Sequence, residues 1–198
     1  IRRVWFSPKG SIALSIVLYP RLSSLPYLVM LASLAVVHTI EVVTGLKPQI
    51  KWPNDVLINR KKVCGILVES GVPGRKVAYA IVGIGINVNN KIADLPELAP
   101  IATSLADELG REVSRVALIR QLLVETEKLY LTLPDGEKIL QKWQKRLVTL
   151  GEKVRVQSGE TVLQGIAESV DQNGNLLLRQ FDGSLTRIIA ADVTLRDY

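Results

Sequence analysis

The chain has 198 residues, 47% of them hydrophobic and 22% charged, with a formal charge of +6 and a pI of about 9.5. It is long enough to bury a sizeable core and too apolar for wholesale disorder. A single cysteine, Cys64, excludes an intramolecular disulfide, and one cysteine with one histidine, His38, argues against both a zinc site and a Cys/His nucleophilic pair.

The basic balance favours anionic ligands such as nucleotides, acidic partner proteins or nucleic acid. The basic residues are scattered, with short runs only at Arg2-Arg3, Arg60-Lys61-Lys62 and Lys145-Arg146, so a solvated basic surface also accounts for them. The opening Ile-Arg-Arg carries no apolar signal region, and a cytoplasmic protein is expected. The start without methionine, on a charged motif, suggests a fragment or processed chain.

In chain order, alternating Ile12, Leu14, Ile16 and Leu18 predict a strand over 11–19, closed by Pro20. A long helix follows over 25–44, stopped by Gly45. Its apolar run is near spanning length, but His38, Glu41, Ser33 and Thr39 interrupt it, and a buried helix is the better reading. Short strands over 50–52 and 55–58 flank Pro53-Asn54; Asn59-Arg60 makes a turn. Strands over 62–69 and 77–88 come next, then a loop to Pro100. Helices are expected over 103–109, from the Ser114 cap to 132, and over 137–147. After Gly151 the character changes: five short strands separated by Gly159, Asn173-Gly174 and Asp182-Gly183 suggest a small β-barrel. The fold class is therefore α+β, a mixed or antiparallel sheet with packed helices over 1–149, and a compact all-β domain over 150–198.

Four blocks carry chemistry. In Lys51-Trp52-Pro53-Asn54-Asp55, proline fixes a corner from which Asn54 and Asp55 can project polar groups at one place. Alone it reads more readily as an ordinary turn with a core tryptophan. In Lys61-Lys62-Val63-Cys64-Gly65-Ile66-Leu67-Val68-Glu69, alternation puts Lys62 on the side of Cys64, Ile66 and Val68, at the rim of a pocket that could hold a carboxylate or phosphate. Gly65 would allow a ligand close to the backbone. Gly83-Ile84-Gly85-Ile86-Asn87-Val88-Asn89-Asn90 places G-x-G at a strand end without the third glycine of a dinucleotide fingerprint; its asparagines suit an adenine edge. In Arg2-Arg3-Val4-Trp5, guanidinium groups beside an aromatic suit phosphate and stacking.

Together, in this order, RRVWFSP, KWPNDV, KKVCGILVE and GIGINVNN resemble the sequence motifs of the biotin protein ligase family, and the resemblance runs from Ile1 to Tyr198. It implies a fold like the class II aminoacyl-tRNA synthetases, followed by an SH3-like C-terminal domain. It also implies ATP-dependent joining of biotin, through biotinyl-5′-AMP, to a lysine of a biotin carboxyl carrier protein, with Mg²⁺. By position, Lys62, Lys51 and Asp55 match catalytic residues. Lys62 would contact biotin and the activated phosphate; Asp55 would orient the incoming amine or a metal. Gly65, Ile66, Leu67, Gly83 and Gly85 match backbone lining the biotin pocket. Arg3, Trp5, Asn54, Asn87 and Asn89 match the nucleotide region, and no metal ligand is assigned. The family also has a glycine- and arginine-rich loop and a Ser-Thr pair upstream of where this sequence begins, so weak activity is expected of these residues alone. Cys64 stands where a small residue is usual and is read as tolerated core. A homodimer is expected; DNA and membrane contacts are not. The rival readings are a lipoate-type ligase and a biotin- or nucleotide-binding module without turnover.

Overall fold

The computed structural model describes residues 8–74, 76–189 and 191–195. Among them are two five-stranded sheets, every ladder of which is antiparallel. The first comprises β1 (Ile12–Leu18), β2 (Gln49–Lys51), β3 (Asp55–Ile58), β4 (Lys61–Gly71) and β5 (Tyr79–Ile86) in the order β1-β5-β4-β3-β2. Its helices are α1 (Leu28–Thr44), α2 (Leu105–Leu109), α3 (Arg115–Leu131) and α4 (Gly136–Gln144). The second contains β6 (Lys153–Ser158), β7 (Thr161–Val170), β8 (Leu176–Gln180), β9 (Leu185–Ile188) and β10 (Asp192–Leu195), ordered β10-β6-β7-β8-β9.

The two-residue period of β5 sets the layers. Ala80, Val82, Ile84 and Ile86 are buried, while Ile81, Gly83 and Gly85 lie on the opposite face. The buried face packs on α1, and α3 and α4 cover α1 from its other side. This sandwiched position explains why α1 is apolar nearly all round rather than striped. Leu22–Thr44 is apolar and long enough to cross a membrane by composition alone, with mean hydropathy 1.8, yet 61% of its most apolar window is buried within the protein.

α1 begins at Leu28, later than the expected residue 25, because Pro26 lies in a 3₁₀ turn spanning Leu22–Tyr27. Proline has no N–H to give an α-helical ladder. Gly45 ends the helix in the left-handed conformation, φ 76°, its N–H donating to Glu41 O. α4 stops at Gln144 instead of running to 147, since Leu147 is drawn into a parallel bridge with Ile50 of β2.

Two hairpins among the described residues turn on two residues: Asn59-Arg60 between β3 and β4, both at positive φ (49° and 64°), and Gly159-Glu160 between β6 and β7. The Asn173-Gly174 and Asp182-Gly183 turns, expected to be equally tight, are wider loops closed by Asp171 N–H to Asn175 O and Gln180 N–H to Ser184 O, each containing a left-handed glycine. β9 and β10 stand at opposite edges of the second sheet, and no ladder among the described residues joins them into the barrel that the sequence suggested.

Candidate active site

The Trp52–Asp55 corner is held from behind. Trp52 is 1% exposed; its N–H donates to Thr149 Oγ1 at 2.9 Å and its indole Nε1–H to Gly174 O at 2.8 Å. Asn54 is clamped to β4 twice: its carbonyl accepts from Ile66 N at 3.0 Å, and its Nδ2 donates to Ile66 O at 2.6 Å. A buried indole N–H and a rigid side-chain amide thus fix where Asp55 begins β3.

From Asp55 a single cross-strand row runs over the sheet: Lys51 pairs with Asp55, Asp55 with Gly65, Gly65 with Gly85, and Gly85 with Ala13. Cross-strand partners share a face. The row is charged at one end and bare backbone in the middle. Beside it, Leu67 pairs with Gly83 and Gly83 with Ser15, and Leu67 is 51% exposed. Ile66 lies between, with its side chain in the core at 2% exposure, so only its backbone takes part.

Lys62 reaches this row across the sheet's expected phase. Its Nζ lies 2.5 Å from Asp55 Oδ1, and a Cβ on Gly65 would stand 3.1 Å from Lys62 Nζ. The expected partnership of Lys62 with Cys64 and Ile66 is therefore corrected. Leu57 pairs with Lys62 but Val56 with Cys64, so β4 carries one extra residue, Val63, at a β-bulge. Val63 and Cys64 are consecutive and both buried. The bulge turns Lys62 to the glycine-lined face. The Lys62 side chain is 45% exposed, so the ion pair is worth about 0–1 kcal/mol and yields readily to a competing anion.

Segment 87–104 braces this end of the sheet. Lys62 N–H donates to Ile101 O, and its carbonyl accepts from Thr103 N, both at 2.9 Å. Asn87 N–H donates to Val63 O; Asn87 Nδ2 donates to Thr103 O, and its Oδ1 accepts from Asn90 Nδ2. Asn89 both donates to Val113 O and accepts from Val113 N. The asparagine amides expected at an adenine edge are thus engaged in holding the loop. Thr103 has no local signature in the sequence; only the fold brings it to Lys62, and sequence reading missed it.

Cys64 is buried, and burial pushes its thiol far above the usual range, outside nucleophilic chemistry. No cluster of three His, Cys, Asp or Glu groups among the described residues could hold a metal. A Mg²⁺ ion here would be the counter-ion that a triphosphate carries with it. Arg3 and Trp5 lie outside the described residues.

A sheet face with bare backbone ending in a lysine–aspartate pair is suited to binding an acid and an anionic activating group side by side. The comparisons give that class its family. The Biotin/lipoate A/B protein ligase family matches residues 1–87, and the Biotin protein ligase C terminal domain matches 149–196. The bifunctional ligase/repressor BirA of Bacillus spizizenii is 39% identical over 98% of this chain and 61% of its own length. The biotin–[acetyl-CoA-carboxylase] ligase of Paracoccus denitrificans is 33% identical over 89% of this chain and 77% of its own. The solved biotin protein ligase from Aquifex aeolicus in complex with biotin and ATP superposes with a TM-score of 0.81 at 28% identity, covering 99% of this chain and 82% of that one. The chain belongs to the biotin protein ligase family. It spans about 61% of the length of the BirA relatives.

Proposed function

We propose that the full-length protein activates biotin with ATP and transfers it to a lysine of a biotin carboxyl carrier protein. The observation that carries this is the meeting of Lys62 Nζ, the Asp55 carboxylate and the bare Gly65–Gly85 backbone on one sheet face. The biotin carboxylate attacks the α-phosphorus of ATP, forming biotinyl-5′-AMP and releasing pyrophosphate. The acceptor lysine's neutral amine then attacks the mixed anhydride, an amide forms, and AMP leaves.

Both substrates of the first step are anionic, so the reaction needs a fixed cation where they meet. Lys62 supplies it by exchanging Asp55 for the incoming carboxylate and phosphate. Asp55, released, orients the acceptor amine. Gly65, Gly83 and Gly85, with the Ile66 and Leu67 backbone, line the biotin, because without side chains they leave that row of the sheet as bare backbone. Asn54 and Lys51 frame the nucleotide end. Asn87 and Asn89 serve the nucleotide indirectly, by holding the loop against Lys62. Arg3 and Trp5, outside the described residues, keep the nucleotide role that their match to the family's motif implies.

Residues 1–149 make up the ligase domain on this reading, and 150–198 a second domain against which the Trp52 corner rests. The protein works as a homodimer in the cytoplasm, and no DNA contact is assigned to this chain. In the full-length gene product, Lys62→Ala should abolish biotin-dependent pyrophosphate release. Near-normal release would overturn the site, and preference for lipoate over biotin in competition would overturn the substrate.

A further inference from the structure

Lys62 is placed by its backbone as much as by Asp55, and one of its two backbone partners, Thr103, shares a distant carboxylate with the turn that precedes β4. Glu108 Oε2 accepts from Asn59 Nδ2 at 2.6 Å, and Glu108 Oε1 accepts from Thr103 Oγ1 at 2.7 Å. Asn59 belongs to the turn that launches β4, and Thr103 N–H donates to Lys62 O. Glu108 therefore ties the turn on one side of Lys62 to the strap on the other, without touching Lys62.

Two features make this tie more than a surface contact. Thr103 is 4% exposed, and a buried hydroxyl needs an acceptor. The turn it steadies contains Arg60 at φ 64°, a conformation disfavoured for a residue of that size, and stands next to the bulge at Val63. A hairpin strained at its tip and interrupted near its start has little of its own to fix its tilt. Any tilt there is amplified along the lysine side chain before it reaches the Asp55–Gly65 row.

We infer that Glu108 is a positioning residue for Lys62, tuning affinity for the acid substrate through the Asn59 turn and the Thr103 strap. This rests on the reading of Lys62 as the cation that meets biotin. Asp107, its neighbour on α2, is a control within the same brace: its carboxylate accepts from Ile92 N and Ala93 N, a part of segment 87–104 that makes neither of the Lys62 backbone hydrogen bonds.

The test is calorimetric titration of biotin into the full-length gene product and its variants. Glu108→Ala should weaken biotin about five-fold, the worth of one ordinary hydrogen bond. Glu108→Gln, which can still accept from Thr103 and pair with a turned Asn59 amide, should recover most of that loss. Asp107→Ala should lower Tm yet leave biotin Kd within about two-fold. In a Lys62→Ala background, Glu108→Ala should add nothing, since its effect passes through the lysine. Should Glu108→Ala not fold, Asn59→Ala removes one exposed half of the tie and should weaken biotin in the same direction. Wild-type affinity in Glu108→Ala, or an equal loss with and without Lys62, would overturn the inference while leaving the ligase reading intact. Unchanged biotin affinity in Lys62→Ala alone would overturn both.

Discussion

At Gly65 a methyl group would stand 3.1 Å from Lys62 Cε and Nζ and 3.8 Å from Asp55 Oδ1. The end of a lysine chain can move away, so Gly65→Ala should fold normally while shifting the ammonium off Asp55. We expect biotin affinity to fall with a Tm close to wild type, as read by titration and calorimetry. Cys64 sits one residue away and behaves oppositely. Its thiol is buried and kept protonated, so the native protein should resist alkylation by iodoacetamide until it unfolds, and Cys64→Ala should keep ligase activity. At this scale the sequence made the residue types legible but not their directions. Alternation assigns Lys62 to the side of Cys64, and nothing local announces that Val63 is supernumerary.

Among elements, the join between the Trp52 corner and the β7–β8 loop carries most of the local information. Gly174 is left-handed at φ 77°, and a Cβ there would approach Met30 Cε to 2.3 Å. Its carbonyl takes the Trp52 indole proton. Trp52→Phe would leave that carbonyl without its donor and should cost about 1–3 kcal/mol, measured by urea unfolding. The strand and helix set was largely readable because hydrophobic period and glycine stops are local signals. The start of α1 was not, because Pro26 competes with an apolar run that otherwise reads as helix. The engagement of Asn87 and Asn89 was hidden too, since their partners Thr103 and Val113 are remote in sequence.

For the whole molecule, acid is the condition to which α1 and α3 should respond. The Lys128 hydrogen bond holds the nearly buried Glu125 carboxyl below its ordinary 4.5, aided by His38 at 3.5 Å and Gln121. A depressed carboxyl contributes stability that is full above its unfolded value and is lost as pH falls through the folded one. Urea midpoints should therefore decline below pH 4.5, and Glu125→Gln should flatten that decline, its curve meeting wild type at low pH. Equal slopes for both proteins would place the acid sensitivity elsewhere. The α+β class was legible from chain order alone. How the second sheet braces the first was not, because it depends on single hydrogen bonds between residues far apart along the chain, such as that from the Trp52 indole to Gly174 O.

The supernumerary Val63 has one more consequence. Excising that residue would preserve Lys61-Lys62 and Cys64-Gly65-Ile66 while restoring an uninterrupted zigzag along the strand. Lys62 would then stand directly beside the buried Cys64, so alternation alone would keep its ammonium on the glycine-lined face, and the cost would be the buried Val63 side chain. A homologue could therefore lack the supernumerary residue, its signature one letter short, and still hold its lysine toward the same face.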